Sequence, residues 1–202
     1  MQRDLDHAPL ARDALPSTTV ALAKALIGRI LVRDTAGGRT AGRIVETEAY
    51  LTNDAASHAF RGETKRNASM FLPPFHAYVY QIYGTYFCLN ISTEAQGRGE
   101  AVLLRALEPL NGLPLMMRRR GSEKLSDLCR GPGRLCAAMD VDTGLDGLDL
   151  FENSELWLAD SAGPPPRLGT STRIGITKAP DEPLRFYEVG SRFVSGPRHL
   201  SP

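Results

Sequence analysis

The stretch Arg43-Ile-Val-Glu-Thr-Glu-Ala-Tyr50 carries two acids two positions apart, in a run rich in β-branched and apolar residues. In a strand, period-two geometry sends Ile44, Glu46, Glu48 and Tyr50 to one face, so two carboxylates share it with an aromatic ring. An exposed edge strand holds such acids at no cost. The apolar flanks, and a following loop that contains His58, instead suit a carboxylate at the rim of a cleft, where it can act as a general base. A second cluster, Tyr78-Val-Tyr-Gln-Ile-Tyr-Gly-Thr-Tyr86, holds four of the chain's six tyrosines, a concentration that chance rarely produces. Tyr78 and Tyr80 fall on one face, while Tyr83 stands beside Gly84, where a tight turn pushes it away from the sheet. Cross-strand pairing accounts for such rings in ordinary sheets. Rings lining a pocket also stack on nucleobases, and a side chain on a protruding turn can wedge between base pairs.

Asn90 and Arg105 interrupt the apolar runs Phe87–Ile91 and Val102–Leu107. Buried without partners they are costly, so each requires either a structural partner or a ligand, and for Arg105 the two readings weigh evenly. His58 fits a ligand contact or a satisfied loop position. His7, His76 and His199 show no metal-like spacing, and no metal is assigned. No G-x-G-x-x-G or G-x-x-x-x-G-K sequence occurs, which counts against dinucleotide and nucleoside-triphosphate chemistry. Cys88, Cys129 and Cys136 cannot pair completely; Cys129 and Cys136 are expected on one apolar face of a helical region.

The elements that must position these groups follow from pattern. Ser17 caps a helix over Thr18–Ile27 that Gly28 closes. Arg29–Arg33 and Gly42–Tyr50 read as a hairpin about Gly37-Gly38, Ala77–Ile91 as two strands meeting near Tyr83-Gly84-Thr85, and Ala101–Leu107 as another strand. Helices are expected over Leu113–Arg120 and Gly133–Met139, with late strands near Leu156, Ile174–Ile176 and Leu184–Tyr187. Strands in adjacent runs point to the α+β class: a single mixed domain with a curved, mainly antiparallel sheet and surrounding helices. At 202 residues one domain buries enough apolar surface to fold without disulfides or structural metal. The charged first residues suit no signal peptide and no run approaches eighteen apolar residues, so a cytoplasmic protein outside the membrane is expected. A net charge of +1 argues against a purely electrostatic nucleic-acid coat. Its distribution is nevertheless uneven, with eight Lys or Arg against four acids between Arg98 and Arg134, then seven acids and no base from Asp140 to Asp160.

Together these segments resemble the alkyladenine (3-methyladenine) DNA glycosylases. The similarity rests on Gly42-Arg-Ile-Val-Glu-Thr-Glu-Ala-Tyr50, Tyr78-Val-Tyr-Gln-Ile-Tyr-Gly-Thr-Tyr-Phe-Cys-Leu-Asn-Ile-Ser92 and Ala101-Val-Leu-Leu-Arg-Ala-Leu-Glu-Pro109. Weaker matches are Arg66-Asn67, Met70-Phe71, Gly131-Pro132, Leu135-Cys136 and Pro183-Leu-Arg-Phe-Tyr187. Only about the first dozen residues, expected to be a flexible segment before a single domain over 13–202, and the region around Pro164 fall outside it. The resemblance implies that Glu48 activates the attacking water and that Arg105 helps to hold that water and a nearby phosphate. It implies that Tyr50, Tyr80 and His58 sandwich a flipped base, that Tyr83 wedges into the stack, and that Asn90 opposes the exocyclic amine of normal guanine. Tyr78, Thr85, Arg118 and Arg119 are expected to contact DNA. The implied partner is double-stranded DNA containing damaged purines; the enzyme is expected to be a monomer with no cofactor.

The chemistry agrees. A base inside a duplex hides its glycosidic bond, so the nucleotide must be extruded, and a wedge fills the gap. Alkylation at a purine ring nitrogen leaves a cationic base that departs readily and is attracted to aromatic faces. Stabilising an oxocarbenium-like sugar and delivering water then fall to a carboxylate at Glu48. No lysine lies in the matching motifs, so simple hydrolysis rather than lyase chemistry is expected. Hypoxanthine and ethenoadenine, being neutral, demand acid assistance or extra binding energy. Thr85 and Ala68-Ser69 lie where family members differ, near the expected DNA surface. Two other readings compete. Glu46 and Glu48 lie roughly 6–7 Å apart at the backbone of one strand, close to the carboxylate spacing of sugar hydrolases, although on one strand they cannot flank a sugar from opposite sides. A catalytically silent DNA- or RNA-binding module would use the tyrosines as a stacking platform.

Overall fold

Gly38–Tyr50 forms one strand of thirteen residues, β2, around which the sheet is assembled. The computed structural model describes residues 7–161, 163–197 and 199. Along one edge β2 pairs first with β1 (Ile30–Thr35) and then, from Glu46 to Glu48, with β8 (Arg185–Glu188). Its other edge pairs with β5 (Ala101–Asn111). Outward from β5 come β4 (Tyr86–Ser92) and β3 (Ala77–Ile82), β6 (Leu156–Ala159) lies beyond β1, and β7 (Leu168–Ser171) pairs with β8. All these pairings are antiparallel. This is the expected α+β single domain with a curved sheet.

Three helices, α1 (Thr19–Ala25), α2 (Leu113–Arg120) and α3 (Pro132–Met139), complete the main core. Leu22 and Leu26, Ile44, Leu104 and Leu107, Met116 and Leu135 meet there. A smaller cluster, Val45, Ala106, Tyr187, Phe193 and Val194, packs elsewhere on β2 and β5, so this part of the sheet is buried on both sides. That explains why β2 reads as a mixed rather than a clean alternating pattern. Cys129 and Cys136 both lie in the main core as free thiols, Cys136 on α3 and Cys129 in the bend before it.

Two expectations are corrected. Thr18, not Ser17, occupies the N-cap position of α1, and the carboxylate of Glu94 accepts the Thr19 N–H at 3.2 Å, a cap supplied from a distant loop. Ile174–Ile176 is a bend rather than a strand, because Gly175 turns the chain at φ +77°; the strand of that region is β7, a few residues earlier. Of the segment 1–12, residues 1–6 lie outside the described ones. Leu10 is buried and donates its N–H to Leu158, and Arg12 pairs with Asp149. No helix among the described residues is long and apolar enough to cross a membrane.

Candidate active site

Between Ile44 and Thr47 the β2–β5 ladder slips twice. Ile44 faces Leu107, Glu46 faces Ala106 and Thr47 faces Leu104, so Val45 on β2 and Arg105 on β5 have no partner across the ladder. Irregularities of this kind re-aim side chains. Here they bring Arg105 onto both acids of β2. Its Nε donates to Glu46 Oε1 at 3.1 Å, Nη1 to Glu48 Oε2 at 3.2 Å and Nη2 to Ser195 Oγ at 3.3 Å. The two readings of Arg105 are therefore both realised, since it is ion-paired and also lines a pocket.

Glu46 is wholly buried. Arg185 Nε donates to its Oε1 at 2.7 Å and the Ser195 N–H to its Oε2 at 2.7 Å. Burial alone pushes this carboxyl up, but Arg105 and Arg185 outweigh it and hold the group below the usual carboxylate range. Enclosed in this way, Glu46 cannot form one side of a sugar-cleaving pair with Glu48. Glu48 is equally buried, yet its donors differ. Oε1 accepts the Ile174 N–H at 2.8 Å, and Oε2 accepts the Tyr50 hydroxyl at 2.9 Å as well as Arg105. Ile174, Tyr50 and Arg105 all line the pocket, so Glu48 lies directly beneath its floor.

The pocket holds about 290 Å³, small among ligand sites. Among the residues that line it are Tyr50, His58, Tyr80, Cys88, Asn90 and Leu103, together with the 174–176 bend. The His58 ring stands edge-on to Tyr80, centroids 4.6 Å apart, and its Nδ1 shares a hydrogen bond with the Tyr78 hydroxyl at 2.8 Å. Desolvation and the charge of Arg66 lower the His58 pKa, favouring neutral imidazole. Tyr78, expected among DNA contacts, is itself buried, lines the pocket and orients His58 through that hydrogen bond. Burial also raises the Tyr50 and Tyr80 phenols, and the neighbouring Glu48 raises Tyr50 further, so both rings stay uncharged. Asn90 donates Nδ2 to the Tyr78 carbonyl at 3.1 Å.

At the mouth, β3 and β4 meet in a turn. Tyr83 has φ +51° and is 86% exposed, Gly84 follows at φ +75°, and Thr85 is exposed. Gln81 Nε2 donates to the Gly84 carbonyl at 2.7 Å, and Arg66 Nη2 to the Gln81 carbonyl at 3.1 Å. Arg61, Lys65 and Arg66 are exposed in the loop that leaves His58. Arg118 is exposed on α2, whereas Arg119 is engaged with the Ala138 carbonyl, Thr35 and Asp140 beside the β1–β2 turn, at the far end of β2 from Tyr50. Arg185, Ser195, Ile174 and Arg173 were not singled out from sequence. For Arg185 the signal existed, a guanidinium inside the apolar run Pro183-Leu-Arg-Phe-Tyr187, the same signal that flagged Arg105; Arg173 follows Gly169-Thr-Ser-Thr172 and carries no such mark. Among the described residues no cluster of His, Cys, Asp or Glu could hold a metal ion.

The family model for methylpurine-DNA glycosylase matches residues 13–192. The chain belongs to this family. A relative in Mesorhizobium japonicum named "Putative 3-methyladenine DNA glycosylase" is 56% identical over 200 residues, covering 99% of this chain and 96% of the relative. Similarly named proteins of Paraburkholderia phytofirmans and Methanoculleus marisnigri are 52% and 50% identical, over 95% and 88% of this chain and 90% and 93% of their own lengths. The glycosylase is by family a monofunctional N-glycosylase of alkylated-purine repair, and the site lies wholly inside the matched segment except for Ser195.

Proposed function

We propose that the glycosylase hydrolyses the N-glycosidic bond of 3-methyladenine and other alkylated purines flipped out of duplex DNA, with Glu48 as general base. The observation that carries this reading is the placement of Glu48: a carboxylate fixed by three donors directly beneath a ring-walled pocket, next to one arginine. Tyr50, Tyr80 and His58 stack on the extruded base, and a cationic purine gains from their faces. Asn90 lines the floor where it meets the base edge and excludes normal guanine. Tyr50 and Arg105 both bond Glu48 Oε2, so seating the nucleotide must loosen one of these bonds to admit water to the carboxylate. Arg105, already neutralised by Glu46, retains its place as the water and the sugar phosphate arrive. No lysine lines the pocket among the described residues, which fits release by water rather than by a Schiff base.

Tyr83, the most exposed large apolar side chain among the described residues, fills the space left by the flipped nucleotide. Thr85 and the cations Arg61, Lys65 and Arg66 face the backbone near the mouth, with Arg118 and Arg119 as more distant phosphate contacts. The enzyme acts as a monomer in this reading, and hydrolysis needs no cofactor. Single-turnover release of 3-methyladenine, 7-methylguanine, hypoxanthine and ethenoadenine from duplex DNA tests this, comparing wild type with Glu48→Gln. Release by wild type alone supports the assignment and ranks the lesions. A folded protein that binds DNA and releases no base would instead be a stacking module.

A further inference from the structure

The hydrolysis described above makes no use of Arg173, although its side chain is completely buried. The guanidinium is ion-paired through Nη1 and Nη2 to the buried carboxylate of Asp54, and Nη1 also donates to the Ala49 carbonyl at 3.1 Å. Its central carbon lies 4.7 Å from the centroid of the Tyr50 ring. Tyr50 lines the pocket and Arg173 does not, so the cation covers the ring from behind. The Arg173 Nε is buried with no hydrogen-bond partner among the described residues.

Such a pair is a poor device for stability. Buried ion pairs are often replaced by apolar side chains at no loss, and here one donor is also left unmet. Its placement nevertheless has an effect that an apolar pair would lack: a fixed positive charge touches the far face of a ring whose near face receives the substrate. The guanidinium draws on the same ring quadrupole that would attract a cationic base, and it repels that base across the ring. Asp54, the ion-pair partner of the guanidinium, offsets part of this.

We infer that the Arg173–Asp54 pair, behind Tyr50, is a specificity-determining element that sets how far the pocket favours cationic alkylated purines over neutral lesions. Arg173 disfavours the cation and Asp54 restores it. The inference rests on the proposed reaction, in which Tyr50 stacks on the base, and it adds a charge reading that the reaction itself does not require.

The test is the ratio of single-turnover release, 7-methylguanine over hypoxanthine, from otherwise identical duplexes; duplex affinities give the same ratio where the neutral lesion is bound without being released. Asp54→Asn leaves the cation uncompensated, and the ratio should fall about three- to tenfold. Arg173→Gln together with Asp54→Asn removes both charges and keeps the interior neutral, so the ratio should rise above wild type by about two- to fivefold. Thermal unfolding verifies each fold, and if the single variant does not fold, the double variant against wild type is sufficient. A ratio constant within about twofold, or both lesions declining in parallel, would overturn the inference and leave the pair as a brace between two loops. Wild type that releases neither base would strike the glycosylase reading itself, which separates the two failures.

Discussion

At and beneath the pocket floor, Glu46, Glu48, Arg105 and Arg185 are each less than a tenth exposed, and their bonds cross from β2 to β5, to β8 and to Ser195. At the tip of the β3–β4 hairpin, Tyr83 is 86% exposed, with its backbone in the left-handed region that non-glycine residues rarely adopt. In the reaction proposed above, the two places meet opposite requirements. A base and an arginine must be held to fractions of an ångström, which only dense packing and satisfied polar groups achieve. A wedge must leave water for a DNA stack, so it is presented where little packs on it. Activity and stability are therefore coupled at the floor and separable at the tip.

That contrast can be broken by experiment. Glu48→Gln should reduce single-turnover excision by about 10²–10⁴-fold while lesion-DNA affinity stays within about tenfold, because the change is nearly isosteric. Loss of binding along with cleavage would make Glu48 a scaffold residue. Glu46→Ala removes the carboxylate shared by two buried guanidinium groups, leaving Arg105 with Glu48 as its remaining ion-pair partner, and urea titration should show about 3–5 kcal/mol of lost stability. A loss below about 1 kcal/mol would remove the coupling claimed for the floor. At the tip, Tyr83→Ala should slow excision of paired lesions about 10–100-fold, spare mismatched lesions more, and change stability by less than about 0.5 kcal/mol. Equal losses on paired and mismatched sites would rule out the wedge.

Two smaller effects sharpen the picture. Tyr83→Asn suits the left-handed backbone better and should gain up to about 1 kcal/mol while losing activity, a trade visible by pairing denaturation with kinetics. His58, on the wall between floor and tip, has a folded pKa below its ordinary 6.5. The unfolded chain therefore takes up the proton first as pH falls, so the residue subtracts stability below pH 6.5 and nothing above it. Its partial exposure keeps the effect small. His58→Asn should reduce the stability lost between about pH 7 and pH 5, and an unchanged slope would show that the imidazole titrates freely.

The elements were legible wherever local pattern decides. The acids of β2, the tyrosine hairpin and the α3 helix stand close to where their spacing placed them. What sequence could not supply was the double slip of the β2–β5 ladder, since a bulge depends on both strands at once and leaves no mark in either. Period two alone puts Glu46 and Glu48 on a shared face; it does not say that one is sealed and the other lies under a cavity. Ile174 was misread for a related reason. Its β-branched neighbours suggest a strand, while Gly175 and the Arg173–Asp54 pair turn the chain under the pocket. The basic rim was expected from the densest charge run in the sequence, and Arg66, outside that run, bonds the hairpin through the Gln81 carbonyl.

The bond from the Ser195 N–H to Glu46 spans 149 residues, and that from Arg185 spans 139. During synthesis, β2 and β5 emerge long before either donor exists. A ribosome-bound chain at that stage carries Glu46 against a single arginine, with half of its counter-charge still to be translated. Contacts so distant in sequence also form slowly. The reaction centre is thus among the last parts of the molecule to mature, and a nascent glycosylase gains its cleaving geometry only after its remaining strands have closed on the sheet.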